Sequence, residues 1–352
     1  MAKIYIGGAG GAPSNGFIRS LRESARDDYL VGTSCVASDL FLANVDERYI
    51  VPPALAENYA SAVIRLLKNV RPDFIHLQND FEVRAISRLR SKLEAVGIKY
   101  YLPTAEAIEN CVDKHRSYEI WKQKGVRVSE TMLLNSPDDL KKAFDSYGEK
   151  IWVRAIEGGG GNGALPAENY EFARIWINRF SGWGKFTASR LLANNTITWL
   201  SIWYSGELVV AQSRKRLSWN FGNRTLSGVT GITGVGQTCS DSAVDQLAQD
   251  AIIAIDSSPH GIYGVDMTYG FDELPHVTEI NIGRFFTTHY FFTKAGLNMP
   301  EILCNIALNG EFPSLTRKIN PLPDDLLWIR GMDVEPVLTT LVEMEKLPKI
   351  DV

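Results

Sequence analysis

The stretch Gly261-Ile-Tyr-Gly-Val-Asp-Met-Thr-Tyr-Gly-Phe-Asp-Glu-Leu-Pro-His-Val-Thr-Glu-Ile-Asn-Ile-Gly-Arg284 decides how the chain is read. Two runs rich in β-branched and aromatic residues flank Gly270-Phe-Asp-Glu-Leu-Pro275, a pattern that predicts a β-hairpin. With residues 271 to 274 as the loop and Gly270 paired with Pro275, Asp266 falls directly opposite Glu279, their β-carbons roughly 5 Å apart. Strand alternation then puts Asn281 on the same face. Two carboxylates and an amide oxygen make a hard, all-oxygen site suited to Mg²⁺. Arg284, just past the strand, is placed to meet the phosphates such a metal carries. The same residues would also furnish the polar face of an exposed hairpin, and the upstream sequence decides between the two.

The 352 residues are 22% charged and 45% hydrophobic, the composition of an ordinary soluble protein with two or three packed units. A net charge of -4 leaves no electrostatic footprint for nucleic acid or an anionic membrane. Cys35, Cys111, Cys239 and Cys304 form no CxxC pair and no Cys/His metal spacing, so they are expected to be reduced and buried in a cytoplasmic protein. The start, Met-Ala-Lys-Ile-Tyr-Ile, lacks the apolar core of a secretory leader, and no run has the length of a membrane span.

Lys3-Ile-Tyr-Ile6, the loop Gly7 to Gly16 and a helix from Phe17 to Ala25 read as the opening unit of a doubly wound α/β sheet. Gly8-x-Gly10 invites a dinucleotide fingerprint, but Pro13 stands where the third glycine should fall and Tyr29–Ser34 ends without a ribose-binding acid. The loop is therefore a tight crossover or part of another ligand's site. Asp73–Leu77 is a further buried strand, with Gln78-Asn-Asp-Phe-Glu82 at its ligand-facing end. There Asp80 and Glu82 either reach a substrate or, for Asp80, cap the next helix. Pro103 closes this unit.

Short helices follow at residues 113–125 and 136–147, the second with Ser136 as N-cap and Asp139 completing a capping box. Ile151-Trp-Val-Arg-Ala-Ile156 alternates, so Arg154 points away from the face built by Ile151 and Val153. After it comes Glu157-Gly-Gly-Gly-Gly-Asn-Gly163, whose Gly158, Gly159, Gly160 and Gly161 can bring backbone N–H groups close to an anion. Composition alone would equally make it a linker. Strands are expected at 186–192, 196–204 and 208–216, the last ending in Arg214-Lys-Arg216, which either meets an anionic substrate or is a solvated strand end. Residues 222–236 have the composition of a mobile loop. Residues 241–255 and 299–308 read as helices, and Phe285, Phe286, His289, Tyr290, Phe291 and Phe292 as an aromatic wall or a piece of core.

Lys114, Arg154 with its glycine loop, Asp266, Glu279-Ile-Asn281 and Arg284, in this order and separation, resemble the ATP-grasp superfamily, in particular single-unit relatives of the carbamoyl phosphate synthetase large chain. The resemblance covers residues 1 to 310. It implies a Rossmann-like α/β domain (1–103) before a two-lobed α+β ATP-grasp fold, with lobes at 104–187 and 188–320 and a C-terminal tail at 321–352. Lys114 and Arg154 match the family's two basic ATP ligands, and Gly158–Gly161 match its flap. Ser189, Leu191 and Leu192 match the hinge that meets adenine. Asp266, Glu279 and Asn281 match its ligands for Mg²⁺ or Mn²⁺. Arg284 sits near its phosphate-binding arginine, and Arg216 joins it as a candidate catalytic residue.

The sequence departs from the family at two places. Asn194-Asn195-Thr196 follows the hinge where a ribose-binding glutamate is usual, and the Glu-x-Asn-x-Arg spacing is stretched by one residue. The resemblance implies phosphorylation of a small-molecule carboxylate by ATP and capture of the acyl phosphate by an amine, with ADP and phosphate released. It also admits a kinase that stops at phosphorylation, a nucleotide-binding regulatory module, and a homodimer. Neither nucleic acid nor membrane is an expected partner.

Overall fold

The computed structural model describes residues 1–331 and 345–350. Its first sheet contains β1 (Lys3–Ile6), β2 (Tyr29–Ser34), β3 (Glu47–Ile50), β4 (Phe74–His76) and β5 (Lys99–Tyr100), all parallel, in the order β3-β2-β1-β4-β5. Parallel sheets are covered on both faces, so their strands need not alternate; Ile4, Tyr5 and Ile6 are all fully buried. The glycine loop is shorter than its composition suggests. A helix starts at Ala12, because Pro13 in its first turn has the right φ and no N–H to waste, and it ends at Arg22. Cys111, Cys239 and Cys304 are buried and free, whereas Cys35 is exposed where the chain leaves β2, contrary to expectation.

At the end of β4 the helix cap is Asn79, whose side chain accepts from the backbone N–H of Glu82. Asp80 is thereby released from the capping role considered for it. Glu82 turns inward and accepts hydrogen bonds from Tyr59 Oη at 3.2 Å and Asn79 Nδ2 at 2.6 Å. Burial pushes its carboxyl from an ordinary 4.5 up to about 7, against those two hydrogen bonds. A folded value above the unfolded one gives stability that is fully present below pH ~4.5 and is lost as pH rises through ~7. Glu82→Gln is therefore expected to flatten the pH dependence of Tm between about pH 5 and pH 8 and to raise Tm at the alkaline end. Parallel Tm–pH curves for wild type and variant would refute this.

The second sheet contains β6 (Thr131–Leu134), β7 (Ile151–Ala155), β8 (Leu165–Ala167) and β9 (Phe186–Arg190), antiparallel in the order β6-β9-β7-β8. Helices Pro137–Tyr147 and Tyr170–Arg179 cover it, the first capped by the Ser136 side chain. Leu134, Leu140, Ile151, Val153, Ala173 and Ile177 give it a core of its own, separate from the two clusters that knit the other sheets together. A unit that shares little core with its neighbours can shift as a body at low cost.

The third sheet contains β10 (Thr196–Tyr204), β11 (Glu207–Trp219), β12 (Thr233–Cys239), β13 (Gly261–Tyr269), β14 (Pro275–Ile282) and β15 (Leu327–Ile329). These are antiparallel in the order β14-β13-β10-β11-β12-β15. The expected loop at 222–236 is thus a strand from Thr233 onward. Its glycines have a packing reason: a β-carbon on Gly236 would come within 2.7 Å of Arg214 Cδ. Trp328 belongs to the edge strand β15, and Met332 and Asp333 shortly after it lie outside the described residues. Phe285, Phe286, Phe291 and Phe292 are buried in the core between the first and third sheets, and His289 stacks on Phe285 at 4.9 Å, so the aromatic run is interior packing except for Tyr290, which is half-buried and donates to Glu23. No helix among the described residues is long and apolar enough to cross a membrane.

Candidate active site

Strands β13 and β14 form the hairpin, and Asp266 pairs with Glu279, but by another route than the expected one. Tyr269, not Gly270, faces Pro275, and a bulge at Thr278 takes up the one-residue offset before Glu279 is reached. A bulge removes backbone groups from the ladder. Here the Thr278 carbonyl accepts from Arg154 Nη2 at 2.7 Å, and the Thr278 hydroxyl donates to the Asp266 carbonyl at 2.9 Å. The irregularity therefore ties the second sheet to the hairpin.

Asp266 is held from two sides. Asn281 Nδ2 donates to its Oδ2 at 3.0 Å, and Thr198 Oγ1 on the adjacent β10 donates to its Oδ1 at 2.5 Å. Glu279 Oε2 lies 3.6 Å from Lys114 Nζ and 3.8 Å from Arg154 Nη1. Lys114 opens the helix Lys114–Gln123, fixed by Asp113, whose carboxylate accepts from the N–H groups of His115 and Arg116. Its Nζ also donates to the Gly158 carbonyl at 2.5 Å. Arg216 Nη2 lies 3.8 Å from Asp266 Oδ1, with its guanidinium 3.8 Å over the Trp219 ring.

The extra residue before Arg284 is absorbed by Gly283, whose φ of 72° is left-handed and whose missing β-carbon would lie 2.8 Å from Val83 Cγ1. The turn returns Arg284 to Asn281, with Nη2 2.6 Å from Oδ1, and lets its guanidinium grip Asp80 at 2.5 and 3.0 Å. Burial alone would raise the Asp80 carboxyl, but the Arg284 charge and hydrogen bonds hold it below its ordinary value. Burial lowers Arg154 and Arg216, opposed in each case by Glu279 and Asp266. Five cations (Lys114, Arg154, Arg214, Arg216 and Arg284) thus gather with three carboxylates (Asp80, Asp266 and Glu279). This surplus of cations among the described residues, to which Arg190 on the wall of the adjoining cavity adds, suits an anionic ligand.

A cavity of about 480 Å³ opens between the second and third sheets, inside the range of roughly 300–1,000 Å³ usual for ligand sites. Its wall includes Arg154, Ser189, Leu191, Leu192, Arg216, Asp266 and Glu279, with Trp152 and Trp219 beside them. Asn194 and Thr196 line it where the resemblance leads one to expect an acid. Lys114, Gly158, Asn281 and Arg284 stand outside that wall and join the site through the contacts above, while Gly159–Gly161 continue the loop from Gly158. The glycine loop also meets the loop before β12, since a β-carbon on Gly161 would lie 2.6 Å from the Val229 carbonyl oxygen. Glu157 pairs with Arg84 of the helix Asp80–Ser87, which follows β4, at 3.5 Å.

Thr198, Thr233 and Trp219 belong to the site and were not among the residues singled out from sequence, and Arg214, read there as meeting an anion or ending a solvated strand, is instead buried beside it. The available signal was alternation, since Arg214 and Arg216 on β11, like Thr196 and Thr198 on β10, are two residues apart and share a face.

A parallel α/β unit followed by two antiparallel sheets that enclose a cavity is the ATP-grasp fold, and this chain has it. The biotin carboxylase domain of Hydrogenobacter thermophilus 2-oxoglutarate carboxylase, solved with MgADP and bicarbonate, matches with a TM-score of 0.68 at 18% identity, over 93% of this chain and 73% of that one. N5-carboxyaminoimidazole synthetase from Staphylococcus aureus matches with 0.63 at 14% identity, over 89% and 78%. L-amino acid ligase from Bacillus licheniformis matches with 0.66 at 13%, over 88% and 74%. In sequence, a pyruvate carboxylase subunit from Methanothermobacter thermautotrophicus is 28% identical over 151 residues, which span 42% of this chain and only 30% of that protein. No protein-family model matches the chain.

Proposed function

We propose that the chain is an ATP-dependent carboxylate–amine ligase, which phosphorylates a carboxylate to an acyl phosphate and couples it to an amine, releasing ADP and phosphate. The observation that carries this reading is the pairing of Asp266 with Glu279 beside Lys114, Arg154 and Arg216 at the cavity. In the same reading residues 1–103 form the leading domain, 104–187 and 188–320 the two lobes, and 321–352 a tail.

Asp266, Glu279 and Asn281 would hold Mg²⁺ or Mn²⁺, for which two carboxylates and an amide oxygen are a fitting hard donor set. The Asn281 oxygen faces Arg284 in this structure and would exchange partners. The ion supplies charge stabilisation to the phosphates when bound. Lys114 and Arg154 hold phosphate oxygens, while Arg216 and Arg284 stabilise the charge on the transferring group. Ser189, Leu191 and Leu192 contact the adenine. The backbone of Gly158–Gly161 covers the phosphates and keeps water from the acyl phosphate. A carboxylate is too poor an electrophile for an amine to attack directly, and phosphorylation gives it a leaving group.

Hydroxylamine tests the reading. With ATP, Mg²⁺ and a panel of carboxylic acids, the accepted acid is expected to yield a hydroxamate with ADP and phosphate. Release of AMP and pyrophosphate would overturn the acyl-phosphate route. A phosphorylated product that persists in the presence of amines would make the protein a kinase.

A further inference from the structure

Arg214 is only 1% exposed, and among the described residues no carboxylate pairs with it. Its Nη1 donates to Thr233 Oγ1 at 2.9 Å and its Nη2 to Thr198 Oγ1 at 3.0 Å, while Nε has no partner among the described residues and the Phe286 ring lies 4.8 Å away. Burying a guanidinium without a counter-ion is costly, and an apolar residue of similar volume would serve stability better. The reason for the arginine lies in what its two partners touch.

A guanidinium has donors and no acceptor, so each threonine hydroxyl that meets it must accept. Thr198 Oγ1 accepts from Arg214 and faces Arg216 Nη2 at 3.5 Å, which leaves its single proton for Asp266 Oδ1 at 2.5 Å. Thr233 Oγ1 accepts from Arg214 Nη1 and also from Arg216 Nε at 3.1 Å. Arg214 and Arg216 both require the two hydroxyls to accept, and Arg214, the nearer donor to each, ties them to a carboxylate and a second arginine of the site.

We infer that Arg214 is a positioning residue that orients Asp266 through Thr198 and Arg216 through Thr233. The inference rests on the reading of Asp266 as a metal ligand. With Oδ1 bonded to Thr198 and Oδ2 to Asn281, the carboxylate plane is set, and each oxygen keeps a lone pair for the ion. Groups of this kind, one bond behind the ligands, typically change metal affinity about 10–100-fold when removed.

The test is Mn²⁺ binding by electron paramagnetic resonance, with a non-hydrolysable ATP analogue and the full-length protein. Thr198→Val, which keeps shape and removes the hydroxyl, is expected to weaken Mn²⁺ binding by about tenfold or more, and Thr198→Ser to restore it. Arg214→Met is expected to weaken it similarly, and the double variant to be no worse than the weaker single, because both break one chain of bonds. If Arg214→Met fails to fold, Thr198→Val and Thr198→Ser still decide. A wild type that forms no Mn²⁺–nucleotide complex would overturn the ligase reading and this inference together. A wild type that forms it, with Thr198→Val indistinguishable from it, would overturn the relay alone.

Discussion

Glu279→Gln is expected to reduce turnover by about 10²-fold or more while leaving the fold intact. The side chain keeps its size, and its carboxylate faces Lys114 and Arg154 at 3.6 and 3.8 Å rather than a packed interior, so Tm should move little. Electrostatics makes the nucleotide result diagnostic. Removing one negative charge frees both cations, so nucleotide binding without metal should hold or strengthen, whereas the part of the affinity that depends on Mg²⁺ should fall. Calorimetry with and without Mg²⁺ separates the two. Normal turnover together with unchanged metal-dependent binding would remove Glu279 from the site.

Arg154→Met is the second large effect expected. Arg154 reaches from the second sheet to the hairpin by its bond to the bulged Thr278 carbonyl and its approach to Glu279. Methionine retains much of the length but has neither charge nor donors. Loss of a charged hydrogen bond to a phosphate is worth about 1.5–3 kcal/mol, so ATP affinity should drop by roughly 10–150-fold. Lys114→Met should weaken it as well, because Lys114 approaches the same carboxylate from the helix Lys114–Gln123. Wild-type affinity in both variants would refute the assignment of these two residues to the phosphates.

Much of the candidate site was legible because its signals are local. Period-two alternation placed Asp266, Glu279 and Asn281 on one face, Ser136 announced a helix start, and Ile151 and Val153 fixed the direction of Arg154. Such patterns depend on backbone geometry over a few residues, which the chain carries wherever it folds. The Asp266–Glu279 pairing was also anticipated, although the turn from which it was counted begins one residue earlier and the Thr278 bulge restores the register.

What the sequence could not show depends on partners far along the chain. Residues from Thr233 form a strand despite their glycines because β11 lies on one side and β15, with Leu327–Ile329, on the other. Asp80 finds Arg284 across 204 positions, which converts a possible helix cap into the counter-ion of a site arginine. Arg214 looks like part of a basic strand end until Phe286, Thr198 and Thr233 close around it. Local periodicity thus determined which side chains share a face of each strand. Only the packing of three sheets against one another decided which faces meet, and so which charges are paired, which are buried, and which face the cavity.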